Sequence, residues 1–288
     1  MKQDAFSRCH PVVNFLYFAL AIGFGVVIQH PGYVLAGAAA AAVYYLLLKG
    51  KKGIRTILFL LPVFLLITLV NPVFNTLGET VLFPLFGRPY TQEALYYGLV
   101  VGGIFVVMML WFGCYNEVLT SDKFTSLFGN LIPALSLLLV MVLRMIPNLM
   151  RKAMQISGAR RSIGKGVEDG STKDKVLGGM TMLSALTDWA LEGSVVTADS
   201  MRSRGYGAAK RTNFQIYRMN KLDWILLGVT ILLAIVTLLG GEKTAEFVPT
   251  LQIPPLNWGF AAYCAFLLLP TALHLKEAIT WHILRSKI

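Results

Sequence analysis

The residue types that usually carry enzyme chemistry are few in this sequence, and their spacing does not fit a reactive site. The four histidines and three cysteines form neither a Cys-x-x-Cys pair nor a set with the spacing of metal ligands. No Ser/His/Asp, Cys/His or paired-carboxylate pattern is visible in the sequence. We interpret Cys9, Cys114 and Cys264 as packing residues. The sequence therefore predicts no catalytic residue, no metal site and no other cofactor.

One stretch, Gly158 to Gly166, resembles a phosphate-binding loop at first sight. Such a loop needs four residues between its glycines and a Ser or Thr after its Lys, so that backbone amides and the hydroxyl reach phosphate and Mg²⁺. Here five residues separate Gly158 from Gly164, and Gly166 follows Lys165. The stretch also follows a predicted helix where a strand is required. We therefore reject a nucleotide site.

Two arginine clusters remain, Arg160-Arg161-Ser162 and Ser203-Arg204-Gly205. Arginine recognises carboxylates with two parallel hydrogen bonds, so an arginine at a helix end among small residues could enter a groove on another protein. The simpler interpretation is charge that is solvated or that reaches lipid headgroups. Two such ends in one segment favour docking to two equivalent grooves.

Long helices must position these arginines. The spacing of apolar residues predicts helices over Ile132–Ser157 and Val176–Ser203, the second with one buried face, joined by a flexible link at Gly164–Lys175. Leu131–Met150 is nearly as apolar as a spanning helix, but Arg144 and Pro147 interrupt it. We predict that this helix lies along or under the membrane. Whether part of it enters the membrane stays open.

The remaining chain reads as a membrane protein, because 56% of its residues are hydrophobic and only 14% are charged. A basic start before a long apolar run predicts a retained first transmembrane helix and not a cleaved signal peptide. Six apolar segments are long enough to be candidate spans. They are Pro11–Gln29, Tyr33–Leu48, Ile54–Val70, Ala94–Leu119, Leu222–Gly240 and Trp258–Leu275.

The basic residues predict the orientation of these spans. With the short loop Lys49–Arg55 inside the cell, every Lys and Arg except Arg88 and Lys243 falls on the cytoplasmic side, as do both termini. The net charge of +11 is then explained by topology, which argues against nucleic-acid binding. The segment Asn71–Glu93 is predicted to be an outer interfacial loop.

We therefore predict an all-α integral membrane protein with about six transmembrane helices and a cytoplasmic insert of long amphipathic helices. Three regions follow from this arrangement. Residues 1–119 hold transmembrane helices 1–4, residues 120–220 form the insert, and residues 221–288 hold transmembrane helices 5–6 and a cytoplasmic tail.

Three stretches of the insert resemble the transmembrane T component of energy-coupling factor (ECF) transporters. They are Leu143–Pro147 leading into a basic helix, Ala159–Ser162 and, as the most specific, Asp199–Tyr206. The resemblance implies that the chain joins two cytoplasmic ABC ATPases to a membrane substrate-binding S component that takes up a vitamin or a metal ion. It implies a non-catalytic subunit in the inner membrane of a bacterium or archaeon, with ATP hydrolysis in its partners.

In the family, long coupling helices end in a short x-Arg-x motif that inserts into a groove of an ATPase. The resemblance therefore implies ATPase docking by Arg160, Arg161, Ser162, Ser203, Arg204 and Gly205, and a structural role in the first coupling helix for Arg144 and Pro147. Arg204 matches the second motif. The first is matched by Arg161 before Ser162 or by Arg160 after Ala159, and this choice stays open.

Two other classes of protein are considered. A stand-alone permease would need buried polar residues in its spans, where we find few, among them Asn14, Thr68 and Glu117. A membrane scaffold or an integral enzyme of lipid metabolism would need an acidic, histidine or metal cluster at the membrane face, and the sequence has none.

Overall fold

The structure is a computed structural model of the 288-residue chain. It describes residues 6–75, 78, 80–85, 88–120, 123–124, 126–127, 133–164, 172–208, 217–241, 244–245, 252 and 254–285. Helices dominate these residues, which confirms the predicted all-α membrane fold. The α-helices are α1 (Pro11–Val27), α2 (Pro31–Lys49), α3 (Lys51–Phe74), α4 (Gln92–Val118), α5 (Pro133–Ser162), α6 (Thr172–Ser203), α7 (Lys221–Leu239) and α8 (Trp258–Arg285).

The chain divides into two compact units. The first, Met1–Phe124 with Tyr217–Ile288, contains α1 to α4, α7 and α8, and the second, Thr125–Ile216, contains α5 and α6. In the first unit, hereafter the bundle, α4 contacts α1, α2 and α3, while α8 contacts α2 and α7. Aromatic side chains fill its centre, and Tyr17 packs against both Trp111 and Phe266.

Five helices of the described chain are long and apolar enough to cross a membrane. They are α2, α3, α4, α7 and Trp258–Trp281 of α8. The apolar helix α1 is shorter, with 17 residues. The six predicted spans thus correspond to six observed helices, and the chain is a multi-pass membrane protein. Neither α5 nor α6 is among the helices that meet these criteria.

The helix boundaries follow from local sequence chemistry. Both α1 and α2 begin with a His-Pro pair, in which the imidazole Nδ1 of His10 or His30 accepts a hydrogen bond from the backbone two residues later. Proline suits the first helical position, because its missing N–H has no partner there. Between α2 and α3, Gly50 has φ of +58°, a conformation that few other residues adopt easily, and it permits the sharp reversal.

Polar contacts join different helix termini at the two ends of the bundle. At the end that holds the 3₁₀ turn Phe6–Arg8, here called the amino-terminal end, Arg8 pairs with Glu277 of α8 and Lys49 of α2 pairs with Glu117 of α4 at 2.9 Å. At the opposite end, Ala245 N donates to Gln29 O at 3.4 Å, and the imidazole of His30 bonds Pro254 O at 3.0 Å. These contacts fit helices that alternate in direction, as six successive membrane crossings require.

The segment between α3 and α4 differs from the predicted loop. It contains two short antiparallel strands, β1 (Val81–Leu85) and β2 (Arg88–Thr91), with Val81 opposite Thr91. Two prolines concealed this hairpin in the sequence, because proline removes a strand hydrogen bond. Both occur in a two-stranded ribbon, Pro84 opposite Pro89, where each strand has a free edge.

The bounds of the two long helices also correct the sequence-based expectation. Helix α5 extends five residues beyond the predicted end at Ser157, and α6 begins at Thr172, inside the segment Gly164–Lys175 that we predicted to be a flexible link. Polar composition misled the prediction there, since Thr172–Lys175 forms a normal first helical turn with Asp174 favourably placed near the positive end of the helix dipole. Residues 165–171 of the predicted link lie outside the described residues.

Candidate functional site

The end of α5 is set by a glycine in a left-handed conformation. Gly164 has φ of +69°, and its N–H donates to the Arg161 carbonyl at 3.1 Å. Such a glycine satisfies carbonyl groups that have no partner at a helix terminus. The hydroxyl of Ser162 donates to Gly158 O at 3.1 Å, one turn back. Gly158 itself is helical, which is inconsistent with a phosphate-binding loop at this position.

The end of α6 has the same design. Gly205 has φ of +76°; its N–H donates to Arg202 O, and the N–H of Tyr206 donates to Met201 O, both at 3.0 Å. These two bonds form a Schellman motif, with Arg204 as the last half-helical residue. The Ser203 hydroxyl donates to Ser200 O at 3.0 Å. Ser203, Arg204 and Gly205 therefore lie together at a well-defined helix end.

Aligning the two helix ends on their glycines gives a correspondence that the sequence motifs did not reveal. Gly164 matches Gly205, Ser162 matches Ser203, and Arg161 matches Arg202. Arg204 then corresponds to Ile163. Arg161, one of the two alternatives for the first motif, and Arg204 thus occupy different positions relative to their glycines, and sequence reasoning passed over Arg202. The repeated pattern Arg-Ser-x-Gly at 161–164 and 202–205 was the available signal.

The arginines differ in accessibility. Arg161, Arg202 and Arg204 are exposed, and none of them forms an ion pair within the part of the chain that the structure describes. Arg160 is half-buried. Positive charge at a helix C-terminus stabilises the helix by about 0.3–1 kcal/mol, so these residues have a local role as well. The guanidinium groups of Arg161, Arg202 and Arg204 are therefore accessible from outside the chain.

One side-chain contact joins the two helices near their middle. The ammonium group of Lys152 on α5 lies 5.8 Å from the ring centroid of Trp189 on α6, within range of a cation–π interaction. Nearby, the predicted structural residues Arg144 and Pro147 are both exposed in α5, and Arg151 donates from Nε to Pro147 O at 3.4 Å. The helix continues through Pro147 to Ser162.

Long stretches of α5 and α6 expose apolar side chains. On α6, four of the predicted face residues are more than half exposed, with Val176 at 62%, Met180 at 64%, Leu183 at 61% and Val195 at 62%. On α5 the same holds for Leu138, Met150 and Met154. The predicted apolar stripe of α6 is thus present but uncovered in this chain, as expected of a surface that meets lipid or another protein.

The three polar residues that we named in the predicted spans have partners within the bundle. Thr68 Oγ1 donates to Gly98 O at 3.5 Å, Glu117 pairs with Lys49, and the Asn14 side chain contacts backbone of the turn Phe6–Arg8. Among the described residues, no three His, Cys, Asp or Glu side chains come together in a way that could hold a metal ion. These partnered groups give no support to a solute-binding permease.

The fold and the site together define a class: a multi-pass, all-α membrane protein carrying a unit of two long helices with exposed arginine ends. No protein-family model matches the chain. Two curated proteins resemble it, both called energy-coupling factor transporter transmembrane protein EcfT. The Staphylococcus aureus protein is 28% identical over 196 residues, which cover 64% of this chain and 72% of that protein. The Lacticaseibacillus paracasei protein is 27% identical over 192 residues, covering 62% and 70%.

These relatives confirm the resemblance that the arginine motifs predict. In sequence, the chain is similar to these two transmembrane proteins of energy-coupling factor transporters.

Proposed function

We propose that this chain is the energy-coupling transmembrane subunit of an ECF-type ABC importer. In this role it is a non-catalytic subunit with no cofactor of its own. It carries ATP-driven motion from two cytoplasmic ATPases to a membrane S component that binds a vitamin or a metal ion. Its location would be the inner membrane of a bacterium or archaeon, with both termini in the cytoplasm.

The observation that carries the proposal is the matched pair of helix ends. Both α5 and α6 stop at a left-handed glycine that follows an Arg-Ser pair with one residue between them, and Arg161 and Arg204 are exposed. An exposed guanidinium group on a rigid helix end suits a groove with acidic or carbonyl groups, because it can donate two parallel hydrogen bonds. Two such ends suit a partner built from two similar subunits.

The contact between the helices suggests how motion would pass along them. ATP binding would draw the two ATPases together and bring the docked helix ends closer. Helices α5 and α6 would then shift against each other at Lys152 and Trp189. The exposed apolar residues on both helices would hold the S component, and their displacement would change its orientation in the membrane.

Co-purification tests the docking arginines. The tagged chain is co-expressed with two ECF-type ABC ATPases from its source organism, and we expect both ATPases to be recovered with the wild type. The double variant Arg161→Glu/Arg204→Glu should lose them, because charge reversal places carboxylates in grooves that accept guanidinium groups. A matched control, Arg218→Glu/Lys221→Glu, changes the net charge equally at exposed positions of the bundle.

The outcomes separate the anchors from the family role. If the double variant retains the ATPases, the arginine anchors are wrong, while co-purification with the wild type still supports the transporter role. If the wild type recovers no ATPase, the proposed function itself fails. A second double variant, Arg161→Glu/Arg202→Glu, shows which arginine of α6 makes the contact. Loss of the ATPases only with Arg204→Glu assigns it to Arg204, and loss only with Arg202→Glu assigns it to Arg202, which is equivalent in position to Arg161.

A further inference from the structure

A buried lysine, Lys123, lies just before the second compact unit, Thr125–Ile216, hereafter the two-helix unit. Helix α4 ends at Val118, and five residues later Lys123 is only 9% exposed. Its ammonium group donates to Val118 O at 3.2 Å and to the backbone carbonyl of Ser7. The hydrogen-bond network assigns the Asn14 amide an orientation in which its oxygen accepts from Lys123 at 3.2 Å. All three donors of this lysine therefore have acceptors.

The chain leaves the two-helix unit close to a buried aspartate. Asp223, in the first turn of α7, is 5% exposed. One carboxylate oxygen accepts from Asn220 N at 2.9 Å and completes a capping box, and the other accepts from His10 N at 3.0 Å. Tyr217, which precedes α7, packs edge-on against the His10 ring with centroids 6.3 Å apart.

Lys123, before the two-helix unit, and Asp223, after it, thus bond to the same partner, the short turn from Phe6 to His10. This turn is seated firmly in the bundle. Phe6 is 2% exposed and packs edge-on against Tyr17, with centroids 5.2 Å apart. Cys9 packs with Val13 of α1 and Leu226 of α7. We use the name clamp for the turn Phe6–His10 together with Asn14, Lys123 and Asp223.

The charges of the clamp suit their positions. Lys123 follows the negative end of α4 and Asp223 lies at the positive end of α7, so both helix dipoles favour them. Burial lowers the pKa of Lys123, since the charged form loses hydration. Buried charges held by backbone groups tolerate little displacement, because any movement leaves a charge or a backbone group without a partner. The clamp therefore fixes position more strictly than apolar packing would.

We propose that the clamp is a positioning element that holds the two chain segments flanking α5 and α6, so that movement of the arginine-bearing helices reaches the bundle instead of being lost in slack connections. This inference rests on the proposed function, because it concerns motion driven by the ATPases. Lys123 and Asp223 act through the backbone of the turn and contact neither nucleotide nor transported substrate.

Two variants separate this role from general stability. Asp223→Glu retains the capping box, since Glu is a usual residue at that helix position, while its extra methylene displaces the second oxygen from His10 N. Lys123→Met keeps the length of the side chain and removes all three donors. Thr280→Ala is the matched control, because it removes an exposed hydrogen bond within α8, to Lys276 O at 2.8 Å.

The experiment measures hydrogen–deuterium exchange of the full complex with its ATPases, with and without ATP and vanadate. In the wild type and in Thr280→Ala, we expect nucleotide to change exchange both at the ends of α5 and α6 and in α7. In the clamp variants the change at the helix ends should persist, while the change in α7 is lost. Exchange of the His10 amide should also be faster in Asp223→Glu without nucleotide.

Clear outcomes would overturn the inference. If the clamp variants transmit the nucleotide-dependent change to α7 as the wild type does, and only their thermal stability falls, the clamp is merely structural. A failure of the proposed function is distinguishable, because the wild-type chain would then recover no ATPases at all, and the coupling role would fall with it.

Discussion

At the scale of single residues, Gly205 decides where α6 stops and how Arg204 is presented. Its φ of +76° is sterically costly for residues with a Cβ, by about 1–2 kcal/mol. The Tyr206 N–H bond to Met201 O depends on this conformation. The direction of Arg204 is therefore controlled by a neighbour that carries no charge.

We predict that Gly205→Ala weakens ATPase docking although it leaves every charge in place. The strained backbone should loosen the last turn of α6, which faster hydrogen exchange of the Tyr206 amide would report, and recovery of ATPases should fall. Gly193→Ala is the control, since an added Cβ there meets no atom within 4 Å and should strengthen the helix. Full docking by Gly205→Ala would show that the geometry of this cap is unimportant.

At the scale of elements, α3 and α4 approach closely through two glycines of α4. A Cβ added at Gly98 would lie 2.7 Å from the Thr68 backbone oxygen, and one at Gly102 would lie 2.9 Å from Thr68 Oγ1. The two glycines are four residues apart, the small-xxx-small spacing that is common where membrane helices pack closely. In a lipid environment, where apolar burial does not drive association, such close packing holds the helices together.

We predict that Gly98→Ala lowers the stability of the bundle by about 1–3 kcal/mol, the usual cost of overpacking. The colliding atom belongs to the backbone, so no side-chain rotation can relieve the clash. Thermal unfolding in detergent measures the effect. Gly23→Ala in α1 serves as the reference, because nothing lies within 4 Å of its added Cβ. Equal stability of the two variants would contradict the close α3–α4 contact.

The two arginine-bearing helices extend unequally from their shared contact. Helix α5 ends at Ser162, ten residues after Lys152, and α6 ends at Ser203, fourteen residues after Trp189, which at 1.5 Å per residue gives lengths of about 15 Å and 21 Å. Under the proposed function, the same change in crossing angle would move the end of α6 about 1.4 times as far as the end of α5.

At the scale of the whole molecule, the proposed orientation predicts opposite labelling at the two ends of the bundle. With a membrane-impermeant maleimide on intact cells, Val81→Cys in β1 should react, whereas Arg218→Cys should react only after permeabilisation. Both positions are exposed, and the native Cys9, Cys114 and Cys264 are buried or half-buried, so wild type gives the background. The reverse pattern would invert the topology.

Much of the fold could be predicted from sequence, because the length of an apolar run predicts a membrane-spanning helix. The end of α6 was predicted at Ser203, where Gly205 is a local signal. The end of α5 was predicted five residues too early, although Gly164 is a signal of the same kind. The clamp was not predicted. In the sequence, Lys123 cannot be distinguished from the other basic residues of the predicted cytoplasmic side, and its partner Ser7 is 116 residues away. The capping pattern from Asn220 to Asp223 was readable, but the bond to His10 depends on tertiary structure.

The clamp also has a consequence for the order in which the protein is assembled. Ser7 lies 116 residues before its partner Lys123 in the sequence, and His10 lies 213 residues before its partner Asp223. The turn Phe6–His10 is therefore synthesised well before both partners. Until α7 is inserted, the His10 amide has no carboxylate to bind, so this part of the clamp is completed late. We therefore expect newly made chains that end before Asp223 to lack the contact that fixes the His10 amide.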